Sequence, residues 1–282
     1  MLGGSGLNKE ALRKIACDYV NNNPGNFVSE EKALEERLIG MRMYEEPVIM
    51  CGRADDGLFS EFKKPSIIGG HFMAPAEWLS GAKTVISIFM PFMDNVKKSN
   101  ALIKDMPSTE WLHARIEGQE FIGALLNHLK EHIEAHGHKC VIPSADQRFK
   151  GRNPEIADDR IQGFYTSSWS ERHAGFVCGQ GTFGLSKGLI SKKGVAGRYA
   201  SLIVDFELDY DERDYTDPYE YCTMCGACVI KCPVNAISKE EGKKHPICSD
   251  YLDITREKYA PRYGCGKCQV AVPCESKAPV KI

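Results

Sequence analysis

Four closely spaced cysteines and the proline after them carry the clearest chemical signal of this chain. The run reads CxxCxxCxxxCP and consists of Cys222, Cys225, Cys228, Cys232 and Pro233. In bacterial two-cluster ferredoxins, the first three cysteines of such a run bind one [4Fe–4S] cluster and the fourth binds the other. The spacing therefore predicts an iron–sulfur protein that transfers electrons.

Four further cysteines provide the thiolates that a second cluster needs. They are Cys248, Cys265, Cys268 and Cys274. By the same logic, Cys274 completes the cluster begun by the first three cysteines of the run, while Cys232 joins the other three. We predict eight metal ligands in two groups of four.

Two other uses of these cysteines are weighed against this prediction. Structural zinc is the first, because cysteine pairs two residues apart also occur in zinc sites, although such sites rarely use CxxCxxCxxxCP. Disulfides are the second, and they fit less well. A chain of 282 residues buries a large core without covalent links, and disulfide frameworks belong mainly to small secreted domains.

Composition and charge narrow the class of protein. The chain has 43% hydrophobic residues, and its 36 basic and 38 acidic residues give a formal charge of -2. This balance provides no overall attraction to nucleic acid phosphates. The sequence has no apolar run of about 20 residues, no charged region at its start and no twin-arginine pair. We expect a cytoplasmic protein without a membrane partner.

The hydrophobic pattern predicts alternating helices and strands before the cysteine run. Helical spacing is seen at 12–20 and 111–133, a helix is expected after Ser29, and short apolar runs at 85–89, 140–142 and 202–206 indicate strands. This alternation predicts an α/β fold, with α+β as the alternative, for residues 1–215. The acidic segment 205–220, which contains a proline, marks the boundary to a second domain at 216–282.

Three histidines and one cysteine invite a functional interpretation that we do not adopt. His128, His132 and His136 lie four residues apart on the long predicted helix, a spacing that metal ligands also use, but the stretch is rich in charged residues. A solvated helix face explains them better. Cys178 precedes a glycine-rich segment, and a lone cysteine is more often a small buried apolar residue than a reactive thiol.

The glycine-rich segment has the form GxGxxG at Gly179, Gly181 and Gly184. A dinucleotide-binding loop of this form follows a strand and begins a helix. Here Ser168 and Glu171 form a capping-box pattern, whose helix would instead run into the glycines from the N-terminal side. The pattern therefore gives little support for NAD binding.

Residues 178–205 and the cysteine region resemble the epoxyqueuosine reductase family and its relatives, the corrinoid reductive dehalogenases. The resemblance rests on the glycine segment at 179–190, on CSDYLDIT from residue 248, and on YGCGKCQ from residue 263 ahead of Pro273. It is clear over about residues 160–282. It implies an N-terminal corrinoid-binding-like domain followed by a ferredoxin-like domain with two [4Fe–4S] clusters.

The resemblance also implies cofactors, partners and site residues. A cobalamin would lie between the two domains and receive electrons from the clusters, which a donor such as ferredoxin or flavodoxin would supply. The glycine segment is the candidate for cofactor binding. Its candidate residues are Gly179, Gly181, Thr182, Phe183, Gly184 and Ser186.

Two departures from the family pattern concern individual residues. Where epoxyqueuosine reductases have an aspartate as proton donor, this chain has Tyr165, and reductive dehalogenases use a tyrosine as the acid. Tyr165 is therefore the catalytic candidate, and an aromatic residue packed at the start of a helix is the alternative. The family cysteine four places after Cys268 is replaced by Val272, and we expect Cys274 to take over as the ligand.

A third departure concerns the substrate. Epoxyqueuosine reductases continue into a helical-repeat tail that helps to bind tRNA, and this sequence ends without one. With no net positive charge, we expect tRNA to be an unlikely substrate. Two hypotheses follow: a corrinoid-dependent reductase of a small molecule, or a two-cluster electron-transfer protein that reduces a partner such as a corrinoid protein.

Overall fold

The computed structural model describes residues 7–151 and 166–280 as a mixture of helices and strands. The helices are α1 (Lys9–Asn22), α2 (Gly57–Glu61), α3 (Pro75–Trp78), α4 (Asp94–Leu102), α5 (Thr109–Ala135), α6 (Glu171–Val177), α7 (Ala227–Ile230) and α8 (His245–Tyr259). The strands are β1 (Val48–Arg53), β2 (Thr84–Pro91), β3 (Cys140–Val141), β4 (Gly181–Phe183), β5 (Leu189–Ser191), β6 (Gly197–Val204), β7 (Ile237–Ser238) and β8 (Gly242–Lys243). Short 3-10 helices cover Pro24–Asn26, Glu36–Leu38, Pro143–Ala145 and Lys267–Gln269.

The main sheet is antiparallel throughout. Its four strands follow the order β1-β2-β6-β3, and β2 pairs with β6 so that Val85 lies opposite Ile203. The expected mixture of helices and strands is confirmed, but the parallel sheet typical of an α/β fold is not present among the described residues. Neighbouring antiparallel strands need no crossover helix, so the sheet is of the α+β kind that was the alternative.

Both faces of the sheet are covered, which explains why all eight residues of β2 are buried. Ile86 and Ile88 point to one face, where α1 and α5 complete a large hydrophobic core. Val85 points to the other face, where α6 and a set of aromatic residues form a second core. A strand buried on both sides reads as a continuous apolar run, as its sequence does.

Helix α5 is the longest element, and its predicted extent is confirmed. Ser108 caps its first turn by accepting a hydrogen bond from the backbone N–H of Trp111, and Gly137 follows its end at φ 84°. Its buried side includes Leu125 and Leu129. No helix among residues 7–151 and 166–280 is long and apolar enough to span a membrane.

The helix expected after Ser29 is a wrong prediction. Residues 30–32 form a turn, with the N–H groups of Lys32 and Ala33 bonded to the Ser29 carbonyl. The chain then returns at once, because Val28 exchanges backbone hydrogen bonds with Met41 and Gly40. This closure leaves room only for a short 3-10 turn.

The cysteine-rich region packs against the sheet region. The N–H of Val195 donates to the carbonyl of Cys274 at 2.8 Å, and Lys267 Nζ donates to the Asn100 carbonyl at 2.7 Å. Residues 205–221 connect the two regions without a helix or strand. The division into domains at 1–215 and 216–282 stays a prediction.

Candidate metal centres and the adjoining cavity

Four of the eight predicted ligands surround one small pocket, and we call them the first cysteine group. They are Cys222, Cys225, Cys228 and Cys274. The chain wraps around this pocket by turning sharply at Met224 and Gly226, which have φ angles of 51° and 78°. Apolar side chains of Ile190 and Val272 contribute to the wall. The thiols of a continuous run and of a distant segment thus meet at one place.

The other four predicted ligands, the second cysteine group, line a cavity of about 500 Å³. They are Cys232, Cys248, Cys265 and Cys268. Cys248 belongs to α8, and Gly266 allows the loop before Cys268 to approach α5. A Cβ atom at Gly266 would lie 1.9 Å from Cζ2 of Trp111, and its φ is 68°. Only glycine fits this contact.

Burial shapes the electrostatics of both groups. Burial and the neighbouring thiols of its own group raise the pKa of Cys274 to about 12. Burial also raises the pKa of Cys265 to about 12, with Cys268 and Cys248 adding to the effect. Four thiolates so close together repel one another, so each group needs bound positive charge to hold its sulfurs ionised.

The geometry does not favour the two alternative uses of the cysteines. All twelve cysteines are free thiols. Among the described residues, no three His, Cys, Asp or Glu side chains come together as ligands of a single metal ion would. Zinc needs its sulfurs about 2.3 Å from one centre. The four thiols of each group line one pocket without converging on a single centre.

The cavity beside the second cysteine group combines aromatic surfaces with unpaired polar atoms. Its lining includes Phe92, Trp111, Trp169 and Tyr199, together with Arg115, Arg172 and Arg198. Four lining residues have a buried polar atom without a hydrogen-bond partner. These atoms are Arg115 Nε, Glu171 Oε1, Tyr251 Oη and Gln269 Oε1. Such a wall fits a large, flat ligand with polar groups at its edge.

Glu171 is a half-buried acid of this cavity, with a buried Oε1 atom, that the sequence analysis did not identify. Its Oε2 accepts a hydrogen bond of 2.5 Å from Ser201 Oγ, which accepts one from Trp169 Nε1. Burial raises the pKa of Glu171 to about 7. The predicted capping box is wrong, because Ser170 caps α6. Glu171 is therefore the first helical residue and turns towards the sheet.

The glycine segment lies beside the first cysteine group and not in the cavity. It forms the β4–β5 hairpin, in which Gly181 has φ 154° and a Cβ atom would meet the Ile190 carbonyl oxygen at 1.9 Å. Gly184 and Ser186 line the pocket of the first group. Thr182 Oγ1 accepts a hydrogen bond from the Tyr221 N–H.

None of the six candidate cofactor-binding residues is in the described lining of the cavity. They are Gly179, Gly181, Thr182, Phe183, Gly184 and Ser186. The hairpin also lacks the strand-to-helix geometry of a dinucleotide loop. The segment covers a cysteine group, and this placement does not support its predicted contact with a corrinoid.

Tyr165, the catalytic candidate, lies outside the described residues. Phe149 and Ser167, on either side of the stretch 152–165, both line the cavity. The role of Tyr165 as an acid therefore stays a prediction.

The structural interpretations of the histidines and of Cys178 agree with the structure. His128 stacks on Tyr19 with ring centroids 4.5 Å apart, and the edge of His132 faces it. Cys178 is fully buried, and its Sγ donates to the Val85 carbonyl at 3.3 Å. Burial raises its pKa well above the usual value, so the thiol is not activated.

Comparisons with known proteins agree with this picture. A model of the 4Fe–4S binding domain matches residues 216–238, which contain the CxxCxxCxxxCP run. The chain is 23% identical over 279 residues, 94% of its length and 77% of the relative's, to an epoxyqueuosine reductase of Cyclobacterium marinum. The resemblance to epoxyqueuosine reductases and the presence of a 4Fe–4S binding region are confirmed.

Solved structures share the fold. A catabolic reductive dehalogenase, NpRdhA, matches with a TM-score of 0.50 and 15% identity over 83% of this chain and 30% of its own. An epoxyqueuosine reductase solved with an epoxyqueuosine-modified tRNA-Tyr stem loop matches with a TM-score of 0.50 and 16% identity. The chain covers 62% of that relative's length.

The expectation that tRNA is an unlikely partner is wrong. It rested on net charge and on an expected lack of the helical-repeat tail, whereas the curated relative that spans most of this chain is an epoxyqueuosine reductase, and a protein of that name was solved with a tRNA stem loop. Net charge is a poor guide here, because basic residues gathered at one place bind phosphates whatever the overall balance.

Proposed function

We propose that this chain is an iron–sulfur reductase of the epoxyqueuosine reductase type, which carries two [4Fe–4S] clusters, uses a corrinoid and reduces a modified nucleoside in tRNA. One observation carries the proposal: the second cysteine group opens directly onto a large cavity walled by aromatic and basic residues. A cavity of about 500 Å³ is within the range of ligand-binding sites.

The first and second cysteine groups are the proposed ligands of the two clusters. In the first group, Cys274 takes the place of the family cysteine that is Val272 here. Two facts support this assignment. Cys274 lines the pocket with the other three thiols, and its carbonyl is held by the Val195 N–H.

A corrinoid fits the chemistry of the cavity wall. Its flat ring matches the aromatic surfaces of Trp111 and Tyr199, and its peripheral amides match unpaired polar atoms such as Gln269 Oε1. When bound, it would supply low-potential reduction at a metal centre. The chain's own residues would orient it, exclude water from its faces and keep it next to the second group.

The positions of the two groups suggest a direction for electron flow. Cys225 of the first group is exposed, whereas the second group faces the cavity. An external donor, proposed to be a ferredoxin or flavodoxin, would meet the first group, and the substrate would meet the cavity. The free thiols fit a reducing compartment, so we propose a cytoplasmic protein.

Glu171 and Tyr165 are the proposed proton sources. Glu171 lies on the cavity wall and has a pKa of about 7, so that part of the population is protonated at neutral pH. Reduction of an epoxide to an alkene takes up two electrons and two protons and releases the oxygen as water, so the site needs proton donors. A group that is protonated near neutral pH meets this need.

The test starts from protein purified without oxygen. We expect about eight irons and matching sulfide, stoichiometric corrinoid after incubation with cobalamin and gel filtration, and reduction of an epoxyqueuosine-modified stem loop followed by mass spectrometry. The same iron content without retained corrinoid would contradict the reductase and favour a two-cluster electron-transfer protein. Only four irons would contradict the assignment of two clusters.

A further inference from the structure

Three arginines from separate elements meet at the cavity wall. Arg115 comes from α5, Arg172 from α6 and Arg198 from β6. Burial and the charge of Arg198 lower the pKa of Arg115 to about 10. Arg172 keeps an exposed side chain on the cavity wall. Its pKa is also lowered, first by partial loss of hydration inside the cavity and then by the charge of Arg198. The charge of Arg198 therefore acts on both of the other guanidinium groups.

None of these arginines has a carboxylate partner among the described residues. Arg115 lies over the ring of Tyr263, 4.4 Å from its centroid, and its Nε is buried without a hydrogen-bond partner. Arg198 donates to the neutral side chain of Gln119. Unpaired cations in a partly dehydrated cavity raise the free energy of the folded protein, so an anion that joins them is stabilising.

The nearest acids are engaged elsewhere. Glu117 bonds to Arg262, and Glu171 accepts a hydrogen bond from Ser201 and has a pKa of about 7, so that only part of its population is charged at neutral pH. The described lining of the cavity therefore has five basic side chains, Arg115, Arg172, Arg198, Lys243 and Lys267, and Glu171 as its one carboxylic acid.

The second cysteine group provides a counter-charge for Arg172. The charges that act on Arg172 include Cys268 and Cys248, so a cluster bound by these cysteines would serve as its counter-ion. The charges that act on Arg115 are Arg198, Tyr263 and Tyr44, with no cysteine among them. The second cysteine group is therefore not among the main charges that act on Arg115.

We propose that Arg115 and Arg198 form a binding site for the phosphodiester of a ligand in the cavity. The planar guanidinium group matches phosphate oxygens through paired hydrogen bonds, which lysine does not provide. A phosphodiester occurs both in the nucleotide loop of cobalamin and in the backbone of tRNA. The source of the phosphodiester rests on the proposed function, whereas the anion site itself does not.

The first experiment measures binding of inorganic pyrophosphate to the cluster-loaded chain by calorimetry at constant ionic strength. We expect Arg115→Gln and Arg198→Gln each to weaken binding about tenfold, because each removes a charge-assisted hydrogen bond. Arg115→Lys keeps the charge but loses the paired hydrogen bonds of the guanidinium group, so its affinity for pyrophosphate should lie between those of wild type and Arg115→Gln. Arg13→Gln is the control, since Arg13 is exposed on α1 and pairs with Glu10.

Two results would contradict an anion site at Arg115 and Arg198. Wild-type protein without measurable affinity for pyrophosphate, or variants that bind it as the Arg13→Gln control does, would contradict the proposal. Iron content and thermal melting are measured on the same samples, so that a variant that fails to fold is recognised and Arg115→Lys is used in its place.

A second experiment identifies the source of the phosphodiester with cobalamin, with cobinamide, which lacks the phosphodiester and nucleotide, and with an RNA stem loop over a range of salt. If the corrinoid supplies it, wild type prefers cobalamin and the double glutamine variant loses this preference. If RNA supplies it, the double variant lowers the salt dependence by about two units. A double glutamine variant that keeps both the preference for cobalamin and the salt dependence of RNA binding would contradict the assignment to a phosphodiester.

The proposal and the proposed function fail separately. A chain that binds pyrophosphate through Arg115 and Arg198 but retains no corrinoid would contradict the reductase and leave the anion site standing. A chain that retains cobalamin and cobinamide equally, with no pyrophosphate binding, would contradict the anion site and leave the proposed reductase standing.

Discussion

The two cysteine groups use the same chemistry in different surroundings. The first group lies in a small pocket under the β4–β5 hairpin and reaches the surface at Cys225. The second lines a large cavity and has Arg172 and Lys243 beside it, whose charges act on Cys268. The difference shows that ligand spacing defines what each group can bind, whereas neighbouring elements decide what each group can reach.

This contrast has an electrostatic consequence. The residues that line the first pocket besides its cysteines are uncharged, from Gly184 to Pro279. Positive charges beside a cluster favour its reduced form, because reduction adds a negative charge. If each group binds a cluster, the second should have the higher potential, and electrons entering at the first would move inward.

The largest expected effect separates the groups by their iron content. Cys274→Ser should remove about four of eight irons and the matching sulfide, because a cube lacking one thiolate is labile. Cys140→Ser is the matched control, since Cys140 is a buried thiol of β3 outside both groups. Iron and sulfide are assayed on protein purified without oxygen. Unchanged iron in Cys274→Ser would contradict the membership of Cys274 in the first group.

The next effect concerns the backbone at the second group. Gly266→Ala would place a Cβ atom 1.9 Å from the Trp111 ring at a φ of 68°. We expect a loss of about 3 kcal/mol or more in the free energy of unfolding, measured by denaturant titration.

Gly40→Ala is the control for this variant. Gly40 also has a positive φ, 74°, but has no heavy atom within 4 Å of the added Cβ. It should lose only about 1–2 kcal/mol, the cost of a left-handed backbone. Equal losses in unfolding free energy at both positions would show that the clash with Trp111 does not add to the cost of the Gly266 substitution.

A pH effect should distinguish the cavity side from the rest of the molecule. The Glu171 pKa is about 7 in the folded protein and near 4.5 in the unfolded chain, so the folded state binds the proton more tightly. Stability should therefore fall as pH rises from about 4.5 to about 7, by on the order of 1–3 kcal/mol.

Glu171→Gln removes this dependence, because the amide has no proton to lose in this range. Its unfolding free energy at pH 5 and pH 8 should differ less than that of wild type, whereas the exposed Glu131→Gln should behave as wild type. A steep fall retained in Glu171→Gln would assign the pH dependence to another group.

The smallest effect addresses the potentials themselves. Arg172→Gln removes a positive charge that acts on Cys268 and Cys248, and should lower the potential of the second cluster by tens of millivolts. The first cluster should keep its potential. An EPR-monitored redox titration, with Arg13→Gln as control, measures both. Equal shifts in the reduction potentials of both clusters would contradict the proposal that Arg172 acts on the second cluster alone.

The sequence predicted those parts that depend on local patterns. The spacing predicted two sets of four cysteines, each of which lines one pocket, while their role as cluster ligands stays a prediction; β2 and α5 follow from their apolar periodicity. The antiparallel sheet did not follow, because periodicity does not identify a strand's neighbours. Arg115 and Trp111 were missed for a related reason: they lie on α5, far along the chain from the cysteines that they face.

The resemblance to the epoxyqueuosine reductase family did not predict where the glycine segment lies. It drew attention to the glycine segment, but the contact between Gly184 and the pocket of the first group depends on a hairpin that closes over Cys222. A side chain such as Glu171 was also hidden, since its burial depends on Ser201 and Trp169, which belong to other elements.

The two groups are nested along the chain, and this arrangement bears on the order of assembly. All four residues of the second group lie between Cys228 and Cys274 of the first. A cluster bound by the second group would tie together most of the intervening loop, so that less conformational entropy is lost when Cys274 reaches its partners. Loading the inner cluster first would therefore make the outer one easier to complete.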